Sequence, residues 1–230
     1  MAEPITLGVF ASGGGTNFQS IIDSCEAGRV NARVAVLITN REDAGAIERA
    51  RRHGIGAHVV PVGRDLSEQF HAADESHVRI LRDSGVDLVC LAGYMRRIGT
   101  GVLNAFPHAV LNIHPAILPS FKGAHGQRDA AEYGVRVSGA TLHFADEEFD
   151  RGPIIIQAAV PVIPGDTEET LAARILQQEH RIYPQAIQWF AEDRLRIEGR
   201  SVILDPPSRG SYDDQGPAVI ISPPLELEEA

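Results

Sequence analysis

The chain has 230 residues, 43% of them hydrophobic and 23% charged, which suits an α/β domain with a sizeable core. Its formal net charge of -10 argues against a broad surface for a nucleic-acid backbone, although a few local amides and arginines can still hold one small anion. Cys25 and Cys90 lie far apart without metal spacing, and neither a signal peptide nor a bilayer-length apolar run is read, so the expectation is a soluble, cytoplasmic chain with no membrane partner.

In chain order, "ITLGVF" (5–10), "ARVAVLIT" (32–39), "AHVVPV" (57–62), "VDLVCLA" (86–92) and "AVLNIH" (109–114) read as strands. Helical patterns fall between them at 17–27, 43–52, 66–83 and 100–105. This alternation predicts βαβ units and an α/β fold with a doubly wound, mostly parallel sheet. Continuous apolar strands fit a sheet covered on both faces.

The second half changes character. "GATLHFAD" and "GPIIIQAAVPV" read as two strands separated by a polar turn, an antiparallel C-terminal extension of the sheet. Thr167 is the expected N-cap of a long helix running towards Asp193, with Pro184 inside it. "RLRIEGRSVIL" reads as a terminal hairpin around Glu198-Gly199. The domain is therefore expected over 1–204, followed by an acidic, proline-rich, mobile tail at 205–230, in which "AVIIS" is the segment able to dock.

Chemistry-bearing residues collect at three places. "SGGGTN" turns the first strand into the first helix, where glycines let a ligand approach the backbone and helix-start amides favour a phosphate. Neither the Walker pattern nor the dinucleotide fingerprint is met, so a single phosphate is the better reading. "LNIHPAILPSFKG" places Asn112 and His114 two residues apart at the end of the fifth strand, on the same side of it, before prolines end regular structure. Open α/β sheets bind ligands at that edge. A strand-end histidine is ordinarily a packing residue, and an acid before a glycine ordinarily forms a turn. Asp150, in "DEEFDRGPI", would nevertheless complete a set of amide donor, imidazole and carboxylate. No serine or cysteine nucleophile stands in a recognisable setting, which favours direct transfer, and the histidines lack metal-ligand spacing, so no metal is expected. His53, His58, His71, His77 and His108 read as surface or packing residues.

"LNIHPAILPSFKG", "SGATLHFADEEFDRGPIIIQAAVPV" and "SGGGTN" together closely resemble the folate-dependent formyltransferase family over residues 5–204. The phosphate turn narrows the likeness to the branch that formylates glycinamide ribonucleotide in purine biosynthesis. The resemblance implies a Rossmann-like formyltransferase fold and 10-formyltetrahydrofolate as the formyl donor, without a metal. It implies small-molecule substrates, no nucleic acid, and a monomer or homodimer. Residue by residue, it implies that Asn112, His114 and Asp150 are catalytic. Gly15, Thr16, Asn17 and Glu179 would hold the ribonucleotide, and Met95, Arg96 and Ile98 the folate. Thr16 stands where the family more familiarly has serine, and Arg97 is an additional arginine, which leaves open whether Arg96 or Arg97 faces the ligand. A formyltetrahydrofolate deformylase shares the asparagine–histidine–aspartate core and uses water in place of the amine. A non-catalytic nucleotide-binding module would need the phosphate turn alone.

Overall fold

The computed structural model describes residues 3–63, 67–207, 220–223 and 225–226. The chain divides into two compact units, Met1–Asn112 with Ala145–Glu147, and Ile113–Phe144 with Glu148–Ala230.

The first unit holds β1 (Ile5–Phe10), α1 (Thr16–Glu26), β2 (Ala32–Thr39), α2 (Gly45–Arg52), β3 (Gly56–Val59), α3 (Glu68–Asp83), β4 (Leu88–Leu91), α4 (Thr100–Ala105) and the start of β5 (Val110–His114). Neighbouring strands run β3-β2-β1-β4-β5, every pair parallel. Parallel pairing requires a crossover between strands, and the intervening helices supply it. Phe10, Val36, Ile38, Leu81, Val89, Leu91 and Val110 form the core, which accounts for the largely apolar runs of β1, β2 and β4. Strand β3 is shorter than expected and ends at Val59, two residues before Pro61, which has no N–H to donate. The third helix was expected from Leu66, which lies outside the described residues; it is described from Glu68, with the Ser67 hydroxyl accepting from the Phe70 N–H at 3.1 Å.

The second unit holds the end of β5, α5 (Gly126–Tyr133), β6 (Val137–Phe144), β7 (Ile154–Pro161), α6 (Glu168–Ala191), β8 (Leu195–Glu198), β9 (Ser201–Leu204) and β10 (Ile220–Ser222). Strands β6 and β7 are antiparallel, β8 and β9 form the expected hairpin, and β9 meets β7 in parallel at Ile154 and Ser201. Helix α6 starts where Thr167 and Thr170 cap each other, with Glu168 and Glu169 placed well for the helix dipole. Its buried stripe includes Leu171, Ile175, Ile182, Ala186 and Trp189, and each large apolar side chain so buried contributes about 1.5–3 kcal/mol. Helix α5 was not anticipated, because only Gly126 and Ala130 of it are buried and so little apolar period is written into it.

The stretch expected as a mobile tail contributes a strand. Of "AVIIS", Ala218 and Val219 lie outside the described residues. Ile220–Ser222 pair with β7, and the Ile221 side chain is fully buried. Four residues further on, Glu226 accepts from Trp189 Nε1 at 3.2 Å and pairs with Arg194 at 2.6 Å. One apolar side chain facing inward, the pairing with β7 and one carboxylate with a cationic partner hold this part of an acidic, proline-rich segment.

Candidate active site

The first βα turn is built from its backbone outward. Strand β1 ends at Phe10, and Gly15 takes a left-handed conformation (φ 71°) as the N-cap of α1. A Cβ there would sit 2.8 Å from that of Ala46, so both the conformation and the space call for glycine. Helix α2 braces the turn from behind: the Ala46 N–H donates to the Gly13 carbonyl at 3.1 Å and Arg49 Nε to the Gly14 carbonyl at 2.7 Å. Gly15 has no side chain to cap the helix, and the first turn carries no acid, unlike that of α6. The first amides of α1 are thus suited to an anion. Thr16 is exposed and Asn17 buried.

The segment after β4 carries Met95 and Arg96, both exposed, and Ile98, which is packed partly against the core. Arg97 donates to the Glu147 carbonyl at 2.7 Å. The Asp74 carboxylate accepts from the N–H groups of Gly101 and Val102 at 2.8 and 3.2 Å, fixing the start of α4 just beyond the segment.

Strand β5 ends in the third group. Alternation puts Asn112 and His114 on one side of it, with Asn112 half-buried and His114 4% exposed. His114 Nε2 lies 2.8 Å from the Phe121 carbonyl and therefore carries the hydrogen, since a carbonyl only accepts. Nδ1 faces the Asp150 carboxylate at 3.5 Å. Asp150 is 6% exposed and has a φ of 52°, a left-handed conformation that aspartate tolerates better than most residues and that is concentrated at functional sites. Its Oδ2 also accepts from the Gly123 N–H at 2.9 Å. The loops after β5 and β6, which supply Gly123 and Asp150, thus meet at one carboxylate.

A residue that sequence reasoning missed joins them. His143, near the end of β6, is 2% exposed, donates from Nδ1 to the Phe144 carbonyl at 2.8 Å, and places Nε2 3.9 Å from Asp150 Oδ1. Asp150 therefore lies between two imidazoles. The available signal was a histidine inside an otherwise uncharged, buried strand shortly before an acidic turn.

Glu179 lies in the middle of α6, 6% exposed, next to Gln178, which accepts from Arg181 at 2.9 Å. Of the residues singled out in the sequence, His114 and Asp150 are in contact and Asn112 shares the strand of His114. Gly15, Thr16 and Asn17 share the turn after β1, and Met95, Arg96 and Ile98 the segment after β4. Strands β1, β4 and β5 are adjacent and parallel, so all three segments follow carboxyl ends of neighbouring strands. Among the described residues, no group of three or more His, Cys, Asp or Glu side chains is placed to hold a metal ion.

Residues 6–187 match the sequence model of the formyl transferase family. Over 195 residues the chain is 44% identical to the chloroplastic phosphoribosylglycinamide formyltransferase of Arabidopsis thaliana, covering 83% of this chain and 66% of that protein. Over 197 residues it is 39% identical to the phosphoribosylglycinamide formyltransferase of Escherichia coli (strain K12), covering 86% of this chain and 92% of that protein. The crystal structure of glycinamide ribonucleotide transformylase 1 from Symbiobacterium toebii superposes with a TM-score of 0.85 at 52% identity, covering 89% of this chain and 95% of that one.

Proposed function

The chain belongs to the formyl transferase family, and from that premise we propose that it transfers the formyl group of 10-formyltetrahydrofolate to the amino group of glycinamide ribonucleotide, in de novo purine biosynthesis. The observation that carries this reading is the buried contact between His114 and Asp150, on the same strand end as Asn112.

The ribonucleotide amine attacks the formyl carbon, and the carbonyl oxygen becomes an oxyanion. Asn112 donates a hydrogen bond to it. His114, with Nε2 committed to the Phe121 carbonyl, has Nδ1 as the nitrogen able to exchange a proton, and Asp150 stabilises a proton there. The tetrahedral intermediate then collapses. The bond from carbon to the folate nitrogen breaks, that nitrogen gains a proton, and the amine loses one. The turn at Gly15, Thr16 and Asn17 holds the phosphate, and Glu179 the remainder of the ribonucleotide. Met95, Arg96 and Ile98 line the folate site. Arg97, engaged with the Glu147 carbonyl, is assigned to the loop leading to Asp150, so that Arg96 is the arginine for the ligand.

The same proposal takes both substrates to be small molecules, with no resident metal, no nucleic-acid or membrane partner, and a monomer or homodimer. No helix among the described residues is long and apolar enough to cross a membrane. Cys25 and Cys90, which are not joined in a disulfide, support a cytoplasmic setting.

The test is an assay of tetrahydrofolate release from 10-formyltetrahydrofolate. Release that depends on glycinamide ribonucleotide is expected. Equal release without the ribonucleotide would make the protein a deformylase, and no release under either condition would make it a binding module.

A further inference from the structure

Ser12 stands between the last residue of β1 and the glycine turn, and only 4% of it is exposed. Its backbone N–H donates to the Gly93 carbonyl at 3.1 Å. Its hydroxyl does two further things. It accepts from the Met95 N–H at 2.8 Å, 83 residues away in the sequence, and donates to Asn40 Oδ1 at 2.5 Å. Met95 opens the segment after β4, and Asn40 is the residue that follows β2. One buried hydroxyl therefore joins the chain leaving β1 to the chains leaving β2 and β4.

A strand end does not require this. A main-chain bond to Gly93 already seats the backbone, and an alanine would fill nearly the same space. The hydroxyl adds an ordered series from the Met95 amide through Ser12 to Asn40, in which each hydrogen bond polarises the next. The orientation of that series is fixed, because Met95 contributes a donor and Asn40 Oδ1 an acceptor.

We infer that Ser12 is a positioning residue that couples the ribonucleotide turn, Gly13–Asn17, to the folate segment that begins at Met95. The inference rests on the proposed formyl transfer. A shift of the turn on binding phosphate moves the Ser12 hydroxyl and with it the Met95 main chain, so each substrate sets the geometry of the other's site. Such coupling is reciprocal.

The experiment is steady-state kinetics with both substrates varied, on wild type, Ser12→Ala, Asn40→Ala and the double variant, with a melting curve for each. Losing one hydrogen bond of this kind lowers affinity by about fivefold, so Ser12→Ala is expected to raise KM for the ribonucleotide and for the folate by about that factor. Turnover at saturation should stay near the wild-type value. Asn40→Ala keeps the Met95 bond but removes the acceptor that orients the hydroxyl, and should move both constants the same way by less. The double variant should be no worse than Ser12→Ala, because the two side chains act in series. If Ser12→Ala does not fold, Asn40→Ala carries the comparison alone. A rise confined to the ribonucleotide constant, or no rise in either, overturns the coupling. Wild-type protein that fails to release tetrahydrofolate in response to the ribonucleotide overturns the proposed function instead, so the two failures are distinguishable.

Discussion

Two buried histidines, His77 on α3 and His114 at the end of β5, have nearly the same exposure (2% and 4%) and opposite surroundings. The first unit sets His77 against aromatic rings. Phe10 meets it edge-on with centroids 5.0 Å apart, and Tyr94 lies at 6.3 Å. Neither of its ring nitrogens has a hydrogen-bond partner among the described residues. Burial holds its pKa down at about 4 against the opposing pull of Asp74. The second unit gives His114 an acceptor at each nitrogen, the Phe121 carbonyl and the Asp150 carboxylate, and gives Asp150 a backbone N–H of its own from Gly123. Burial by itself does not make a titratable side chain part of a site. Acceptors on both sides of the ring are what single out His114 for the proposed one.

The comparison breaks most easily on turnover. Removing an oxyanion donor typically lowers turnover by about 10²–10³, so Asn112→Ala is expected to lose that much, and His114→Ala and Asp150→Asn at least as much. Ribonucleotide binding by calorimetry should survive in all three, because the phosphate is assigned to the turn after β1. The losses should not add, since the three groups act together. His77→Phe, in contrast, should leave turnover near wild type. A His77 variant as impaired as the His114 variant would show that the first unit's histidine belongs to the chemistry.

Acid stability sharpens the same contrast from the other side. His77 titrates near 6.5 when unfolded and near 4 when folded. Its contribution to stability is complete above pH 6.5 and is lost as pH falls towards 4, because the unfolded chain takes up the proton first. At about 1.4 kcal/mol per pH unit over that span, the loss is roughly 3 kcal/mol. Denaturant titrations of wild type and His77→Phe at pH 7 and pH 4 should show the variant losing less stability by about that amount. Identical losses in both proteins would mean that His77 is not held neutral by burial.

The two regions also differ in how far the sequence disclosed them. Strands β1 and β2 and helix α4 match the expected residues, because their apolar runs and flanking glycines and prolines are local signals. The α6 N-cap was legible for the same reason, since a threonine before an acidic first turn is a local pattern. The pairing of His114 with Asp150 was reached only by matching residue types and then by the resemblance, because a contact across 36 positions leaves no local trace. His143 was missed on both counts: on β6 it reads as one more buried strand residue. The docking of β10 depends on the register of Ile221 against Ala158, and nothing within the acidic tail writes that register.

The smallest effect is expected at His143, which stands between the two extremes, with one nitrogen on a carbonyl and the other 3.9 Å from Asp150. That distance is too long for a direct hydrogen bond but well within the reach of a charge. His143 should therefore steady the Asp150 carboxylate without exchanging the reaction's proton, and its loss should lower turnover by about tenfold, the scale on which mutation of a residue supporting a site's primary groups begins to be felt. Two substitutions separate its contacts. Asparagine can reproduce the Nδ1 donor to the Phe144 carbonyl but has nothing at the Nε2 position, whereas phenylalanine removes both. The register of β6 against β7 shifts between Leu142 and His143, so a lost bond to the Phe144 carbonyl would be felt as strain in that strand. If the role is electrostatic, His143→Asn and His143→Phe should lose turnover equally, while only the phenylalanine variant melts earlier. Full turnover in His143→Asn would assign this histidine to the strand, alongside His77, and leave His114 as the one imidazole that Asp150 serves.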